Sequence, residues 1–377
     1  MEYVKIGDIC TKVCSGGTPS SGNPSYYEGG SIPWLNTNEV NFCRIYSTEK
    51  KITQLGYENS AAKYIDENSV IVAMYGVTAG KSAIAKIRLT TNQACCNLSI
   101  DGKKADYEYV YYYLKLQSET LNKLANGGAQ QNLNSKIIKD FKIPLPPLAI
   151  QHRIASILSA YDSQIENNQK RIKLLEQMAE NLYKEWFVRF RFPDYETAEF
   201  EGGVPKGWKV VKVKECVDRL RFGTLYGKDS VESDGDVIVI DQSQEPYIGF
   251  HNNAPSHIAD TQKPIILFGD HSCKFELMII PFSLAENVVP FVAKSGIDTT
   301  FLYFTTHNLI QTTEYKRHWT EFVNKKILLP PANLQREYAK KVIDILSMKQ
   351  QLIVENRLLS KQRDLLLPRL MSGKLSI

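Results

Sequence analysis

Residues 148–192 read LAIQHRIASILSAYDSQIENNQKRIKLLEQMAENLYKEWFVRFRF. The stretch has 45 residues without glycine or proline, far more than an ordinary globular helix. Its apolar residues recur at alternating steps of four and three, which is the spacing of a coiled-coil seam. The stretch therefore predicts one long helix with a stripe that needs a partner. The seam positions are Ile154, Leu158, Tyr161, Ile165, Asn168, Ile172, Leu175, Ala179, Leu182 and Trp186.

A second long helix is predicted over residues 332–367, because the same pattern returns 184 residues later. The offset also moves the loop before the first helix, with Ile143, Leu145, Pro146, Pro147, Gln151 and Ala155, onto Ile327, Leu329, Pro330, Pro331, Gln335 and Ala339. Helix and leading loop thus repeat together. The second seam is Tyr338, Val342, Ile345, Lys349, Leu352, Asn356, Leu359, Arg363, Leu366 and Leu370.

The two seams are expected to pack on each other in an antiparallel coiled coil. If a pseudo-twofold axis relates them, partner residue numbers have a constant sum, and a sum of 524 sets Asn168 opposite Asn356. A buried asparagine pair would fix the coiled-coil register, while Lys349 and Arg363 would extend out of the seam. The alternative is that each helix packs only on its neighbouring domain and the asparagine match is accidental.

The rest of the chain predicts two β-rich globular domains, which gives an α+β fold overall. A chain of 377 residues is too long for one ordinary core. Short apolar runs alternate with Gly, Pro, Asn and Ser clusters on both sides of the first helix, as expected for strands and turns. We expect a first domain over 1–142, a spacer helix over 143–192, a linker over 193–207, a second domain over 208–326, and a second spacer helix with its tail over 327–377.

Composition narrows the class of protein. No apolar run reaches transmembrane length and no signal peptide is visible, so a cytoplasmic protein is expected. The seven cysteines have no CxxC spacing, which argues against a disulfide framework and against a zinc site. The net charge of +5 permits binding to nucleic acid without requiring it. No metal or cofactor is expected.

Loops of the first domain carry hydroxyl and amide side chains, which can donate to and accept from base edges, together with glycines that let a backbone approach phosphates. The same residue types also serve ordinary turns. Gly76–Ser82, GVTAGKS, is one residue shorter than a Walker A loop, so we interpret its lysine as a phosphate contact and not as part of an ATP site. The candidate DNA contacts are Thr18, Ser20, Tyr26, Tyr27, Asn36, Thr37, Asn38, Lys81, Asn92, Gln93, Gln130, Gln131 and Asn132.

Loops of the second domain gather cations and aromatic residues, which suit phosphate and groove contacts. A solvated basic face is the alternative. The candidates are Arg219, Arg221, Tyr226, Lys228, His271, Lys274, Lys316, Arg317 and His318.

The order of domain, long helix, domain and long helix, with the LPP loop repeated before each helix, the LYKEWF and LLPRLMSG endings and the Gly207–Trp208 pair, closely resembles the specificity subunit of type I restriction-modification systems. The resemblance covers the whole chain. It implies that the globular domains are target recognition domains for double-stranded DNA. It also implies that the partners are methyltransferase subunits, typically two, and restriction subunits in a phage defence system. We expect partner docking around Tyr183, Trp186, Phe187, Leu367 and Leu370, which otherwise close the coiled coil.

Motifs for catalysis are absent. No [DNS]PP[YFW] tetrad for amino-group methylation and no S-adenosylmethionine loop occurs, and Pro193–Asp194 has no ExK shortly after it, as a nuclease site would need. A noncatalytic subunit that reads a bipartite target is therefore expected, with the helix length setting the gap between the two half-sites. The alternatives are the specificity chain of a related defence assembly, a coiled-coil scaffold for proteins, and an enzyme with a site around Asp270 and His271.

Overall fold

The computed structural model describes residues 2–126, 133–312, 314 and 316–375. The chain divides into two compact units. Unit 1 contains Met1–Glu166 and Asn356–Ile377, and unit 2 contains Asn167–Glu355. Both unit boundaries fall inside the long helices, so each unit contains part of both.

The first domain and the first long helix follow in chain order. The strands are β1 (Tyr3–Lys5), β2 (Cys10–Ser15), β3 (Ile32–Leu35), β4 (Cys43–Ile45), β5 (Lys50–Ile52), β6 (Tyr64–Ile65), β7 (Val70–Ala73), β8 (Ser82–Ala85), β9 (Leu89–Thr91), β10 (Cys95–Ile100) and β11 (Lys142–Pro144). The helices are α1 (Gln54–Glu58), α2 (Tyr107–Leu116), α3 (Ser118–Asn126), α4 (Ser135–Asp140) and α5 (Leu148–Tyr183), the last continued by a π-helical turn over Lys184–Val188.

Two stacked sheets form the first domain. One has the strand order β2-β10-β7-β8-β4, and the other has the order β5-β3-β9-β6 with β3 and β9 parallel. Successive side chains of a strand point to opposite faces. In β7, Val70 and Val72 accordingly join the core under the helices, while Ile71 and Ala73 join the core between the sheets. Burial of both faces explains why this strand reads as an unbroken apolar run.

Both long helices contribute to the core of unit 1. Ile154 and Leu158 of α5 lie in the same core cluster as Leu367 and Leu370 of the second long helix.

The second domain and the second long helix complete the chain. The strands are β12 (Phe200–Glu201), β13 (Val204–Pro205), β14 (Lys209–Lys212), β15 (Val217–Arg219), β16 (Val237–Ile240), β17 (Gly249–His251), β18 (Ile265–Gly269), β19 (Phe275–Met278), β20 (Phe282–Leu284), β21 (Val288–Ala293) and β22 (Lys326–Leu329). The helices are α6 (Thr299–Thr306), α7 (Trp319–Asn324) and α8 (Ala332–Met371).

The second domain repeats the strand order of the first. Its larger sheet has the order β15-β21-β18-β19, which corresponds to β2-β10-β7-β8. Its smaller sheet has the order β17-β16-β20, again with one parallel pair, β16 and β20. The short pair of β1 with β11 likewise corresponds to the pair of β14 with β22. The two domains are therefore two copies of one frame.

The antiparallel orientation of the helices is confirmed within each unit. In unit 1, Arg363 of α8 contacts Asp162 of α5 at 2.5 Å. In unit 2, Lys349 contacts Glu176 at 2.7 Å. Both pairs of residue numbers sum to 525, one away from the predicted 524. Asn168 is buried and Asn356 is half-buried, but they belong to different units, so their pairing stays a prediction.

Both helix ends differ from the sequence expectation. The first helix ends at Val188 and not at residue 192, because a π-helical turn brings Trp186 and Phe187 into the core of unit 2 and Phe190 adopts a left-handed backbone with φ 57°. The second helix continues past residue 367 to Met371 with Pro368 inside its last turn. Burial of Leu370 and Met371 in the core of unit 1 explains why the helix tolerates the lost N–H group.

Within the described residues, no cluster of three or more His, Cys, Asp or Glu side chains could hold a metal ion. Over the same ranges, no helix combines the length and apolarity needed to cross a bilayer. All seven cysteines are free thiols.

Candidate nucleic-acid interface

The carboxyl ends of β3 and β9 lie side by side in the first domain, because these strands are parallel neighbours. Asn36 and Thr37 follow β3, and Asn92 and Gln93 follow β9. The Asn92 backbone N–H donates to the Leu35 carbonyl at 3.0 Å, which joins the two strand ends.

Three polar side chains at this edge are used inside the protein. The Asn92 amide donates to Asn36 Oδ1 at 3.2 Å and to Thr37 Oγ1 at 3.0 Å, and its own oxygen accepts from the Ala94 N–H. Asn92 and Thr37 are buried and Asn36 is half-buried. Their hydrogen bonds hold the loops in place, while Gln93 beside them is exposed.

The glycine-rich loop after β2 covers this edge. The Gly17 N–H donates to the Thr91 carbonyl and the Gly17 carbonyl accepts from Trp34 Nε1, both at 2.9 Å. A Cβ atom on Gly16 would lie 2.0 Å from the Thr91 carbonyl oxygen, so only glycine fits there. The same loop brings Thr18 to Gln93, whose Oε1 accepts from the Thr18 hydroxyl.

An open cleft of about 510 Å³ lies beside the loop. The Tyr27 hydroxyl donates to the Pro19 carbonyl at 2.6 Å, and its ring packs edge-on against Trp34. Burial raises the pKa of Tyr27, which keeps its hydroxyl a hydrogen-bond donor. The cleft is lined by Thr18, Ser21, Tyr27, Trp34, Lys50 and Lys51, of which sequence reasoning missed Ser21, Trp34 and the two lysines.

The remaining candidates of the first domain lie on neighbouring loops. Lys81 ends the turn between β7 and β8 and contacts Asn41 Oδ1 at 2.8 Å. Ser20 and Asn38 are exposed, and the Tyr26 carbonyl accepts from the Thr53 N–H.

Matching hydrogen bonds build the same edge in the second domain. The Ala285 N–H donates to the Ile240 carbonyl at 2.9 Å, as Asn92 does to Leu35. The Tyr226 N–H donates to the Leu284 carbonyl at 2.9 Å, as Gly17 does to Thr91. By these hydrogen bonds, the loop containing Tyr226 in the second domain is equivalent to the glycine-rich loop in the first domain.

The turn between β18 and β19 corresponds to the turn between β7 and β8. The Gly269 N–H donates to the Lys274 carbonyl at 2.8 Å, as the Ala73 N–H does to the Lys81 carbonyl at 2.9 Å. Lys274 and Lys81 are thus equivalent. The Lys274 ammonium donates to the Glu245 carbonyl at 2.6 Å.

A cleft of about 280 Å³ lies at this edge of the second domain. The Tyr226 ring stacks on His251 with centroids 4.1 Å apart. The Gln242 side-chain oxygen accepts from the His271 N–H at 3.1 Å, which brings a third candidate beside the cleft. The lining residues are Leu225, Tyr226, Gly227, Lys228, Asp241, Gln242, Ile248, Ala285 and Glu286.

The other basic candidates of the second domain have separate surroundings. Arg219 and Arg221 are exposed, and the Arg219 guanidinium lies 5.1 Å from the Phe222 ring centroid. Lys316 and Arg317 are exposed, whereas His318 is buried and its backbone N–H donates to Asp270 Oδ1 at 3.1 Å.

Known proteins resemble this chain in sequence and fold. Residues 1–177 match the model of the family described as type I restriction modification DNA specificity domain. The chain is 27% identical over 412 residues to the type I restriction enzyme MjaIX specificity subunit of Methanocaldococcus jannaschii, an alignment that covers 100% of this chain and 94% of that protein. Over its whole length the chain is thus similar to type I specificity subunits.

Two further comparisons agree with this assignment. The EcoR124I/EcoR124II specificity subunit of Escherichia coli is 30% identical over 206 residues, which cover 52% of this chain and 50% of that protein. The crystal structure of a type I restriction-modification S subunit from M. genitalium has the same fold, with a TM-score of 0.60 at 17% identity and coverage of 98% of this chain and 95% of that one.

The residues predicted to dock partner subunits lie in the interior of the two units. Trp186 and Phe187, with the half-buried Tyr183, pack in the aromatic core of unit 2, and Leu367 and Leu370 pack in the core of unit 1. These contacts stabilise the chain itself. Docking at these five residues stays a prediction, as do the individual DNA contacts, and Gln130, Gln131 and Asn132 lie outside the described residues.

A repeated pair of hydrogen bonds, here called the glutamine joint, connects each domain to its long helix. In unit 1, Gln151 donates to the Pro146 carbonyl at 2.8 Å and accepts from the Asp106 N–H at 2.9 Å. In unit 2, Gln335 makes the same pair of bonds with Pro330 and Asp298, at 2.8 and 3.0 Å. The repeated glutamine was visible in the sequence, but its partner across the domain was not.

Proposed function

We propose that this specificity subunit reads a bipartite double-stranded DNA target with its two domains, over 1–142 and 208–326, and brings methyltransferase and restriction subunits to it. One observation carries the proposal. The two domains share strand order, loop anchoring and helix joint, yet differ in the side chains that equivalent loops present. The same backbone framework with different side chains at one edge is what two domains that read different DNA sequences require.

The side chains at this edge suit a duplex. Lysines beside both clefts, Lys50 and Lys51 in the first domain and Lys228 in the second, provide positive charge for phosphates. Exposed hydroxyl, amide and carboxylate groups between them can address base edges in the major groove.

A noncatalytic role is consistent with the surroundings of Asp270. Its Oδ1 accepts from the backbone N–H groups of His318 and Trp319 at 3.1 and 2.9 Å, and Arg317 lies 3.8 Å from Oδ2. Asp270 thereby anchors a loop. Chemistry is then the task of the partners, and the repeated helices offer similar surfaces to two methyltransferase subunits. Exposed apolar side chains for such contacts are Leu174, Met178, Met348, Val354, Leu358 and Leu365.

Helix length is proposed to set the unread gap between the half-sites. The helices have 36 and 40 residues, or about 54 and 60 Å at about 1.5 Å per residue. Deleting one heptad from both helices should shorten the gap. An unchanged gap would contradict this part of the proposal.

Methylome sequencing tests the function. A host that expresses the chain with the methyltransferase encoded beside it is compared with a host that expresses the methyltransferase alone. Methylation at a new split motif that needs this chain is the expected result. A stable complex that methylates no new motif would refute the proposal and favour a protein scaffold.

A further inference from the structure

The turn that follows the second strand of the parallel pair exposes one side chain in each domain. In the first domain Thr90, Thr91, Asn92 and Ala94 are buried, and only Gln93 among them is exposed. In the second domain Ser283, Leu284 and Ala285 are buried before the exposed Glu286. An exposed polar residue on a buried connection at a cleft edge is placed to meet a ligand.

Backbone hydrogen bonds show that Gln93 and Glu286 are equivalent. The residue before each donates to the end of the neighbouring strand, as described for Asn92 and Ala285. The residue after each accepts from the larger sheet, with Met74 N–H to the Ala94 carbonyl at 2.8 Å and Asp270 N–H to the Asn287 carbonyl at 2.9 Å. Both flanks are therefore fixed, and each side chain projects from a rigid point of the frame.

Most neighbouring polar groups are already used inside the protein. In the second domain Asp241 Oδ1 accepts from both the backbone and the hydroxyl of Ser243, and Gln242 Oε1 accepts from His271. The described part of the chain gives the Glu286 carboxylate neither a hydrogen bond nor an ion pair, although Glu286 lines the cleft. The Gln93 oxygen accepts from Thr18, which orients the amide and leaves its NH₂ group pointing to no partner in the described residues.

We propose that Gln93 and Glu286 are the equivalent base-reading side chains of the two domains, an inference that rests on the proposed function. A carboxylate only accepts hydrogen bonds, so Glu286 is matched to an exocyclic amino group, cytosine N4 or adenine N6. The Gln93 amide both accepts and donates, so it is matched to adenine N6 and N7. The difference between Gln93 and Glu286 at equivalent positions thus contributes to the different half-sites that the two domains read.

The first experiment repeats methylome sequencing with Glu286→Gln and Gln93→Glu variants in the complex. Glu286→Gln should change or relax one base position in one half-site, and Gln93→Glu one position in the other. Glu201→Gln, which removes an exposed carboxylate on the β12–β13 hairpin outside both clefts, is the matched control and should leave the motif unchanged. A wild-type chain that yields no split motif would refute the proposed function itself.

The second experiment separates base reading from simple charge. Affinity of the wild-type complex is measured for the identified duplex and for one in which hydrogen replaces the amino group at the base that Glu286→Gln relaxes. The expected loss is roughly 5- to 150-fold for wild type and little for Glu286→Gln. Two results would overturn the inference. One is a Glu286→Gln motif identical to that of the wild type. The other is an equal loss of affinity for the modified duplex in wild type and Glu286→Gln, when the wild-type chain gives its split motif.

Discussion

Replacing Arg44 with leucine should destabilise unit 1 selectively. The Arg44 guanidinium lies 3.1 Å from Glu166, 3.2 Å from Glu108 and 3.7 Å from Asp162, and its side chain is 6% exposed. These carboxylates belong to α5 and α2, so Arg44 on β4 joins the sheet to both helices. The leucine variant leaves three partly buried carboxylates without this shared cation.

The magnitude follows from the burial of the partners. Removing one partner of a fully buried ion pair costs about 3–5 kcal/mol. Here Glu108 and Glu166 are 19% and 25% exposed, and Arg363 still neutralises Asp162, so the cost is reduced. We expect a loss of about 2–4 kcal/mol in the free energy of unfolding of unit 1.

Hydrogen exchange with mass spectrometry measures each unit separately. Amides of α2 should exchange about 30- to 1000-fold faster in the leucine variant, while amides of β18 and β21 in unit 2 keep their rates. Arg88→Leu is the control, because Arg88 is 66% exposed and its ion-pair partner Asp66, 3.9 Å away, is also exposed. A change of less than threefold in α2, or an equal change in both units, would refute the reasoning.

Three further predictions concern stability. His257 stacks on Phe282, and burial lowers its pKa below the ordinary 6.5. The stability of unit 2 should therefore fall as the pH drops through 6.5. In His257→Gln, the urea denaturation midpoint should change less between pH 7 and pH 5 than in the wild type. Gly16→Ala should lower the midpoint of thermal unfolding, because its Cβ would clash with the Thr91 carbonyl oxygen. Gly102→Ala, which has open space around its Cβ, should leave the midpoint unchanged, and equal midpoints for the two variants would contradict the clash. Gln335→Ala should lower the free energy of unfolding of unit 2, measured by urea denaturation, by about 2–3 kcal/mol, because it leaves the buried Pro330 carbonyl and the partly buried Asp298 N–H without their partner. The exposed Gln351→Ala should cost little, and a similar cost for both variants would show that the joint adds nothing.

The sequence predicted the long helices and their antiparallel packing because seam spacing and a long-range repeat are properties of residue order. It did not predict the π-helical turn after Tyr183 or the helix through Pro368. Both depend on which core receives Phe187 and Met371, and that is settled by residues far away in the chain. Tertiary burial there overrides local propensity.

The candidate site was predictable at the level of loops and less so at the level of side chains. Asn92 and Gln93 are adjacent amides and look alike in sequence, yet one is buried in a hydrogen-bond network and the other is exposed. Glu286 carried no signal of its own, since an isolated acidic residue is common on surfaces. Its proposed role follows only from the backbone hydrogen bonds that make it equivalent to Gln93.

The glutamine joint places few demands on the domain that it holds. It requires one side chain on the helix, one proline carbonyl, and one backbone N–H at the start of the domain's own helix. Because Asp106 and Asp298 contribute this N–H through the main chain, almost any sequence that folds into the frame can satisfy it. Replacement of either domain by another sequence with the same frame should therefore leave its attachment to the long helix intact.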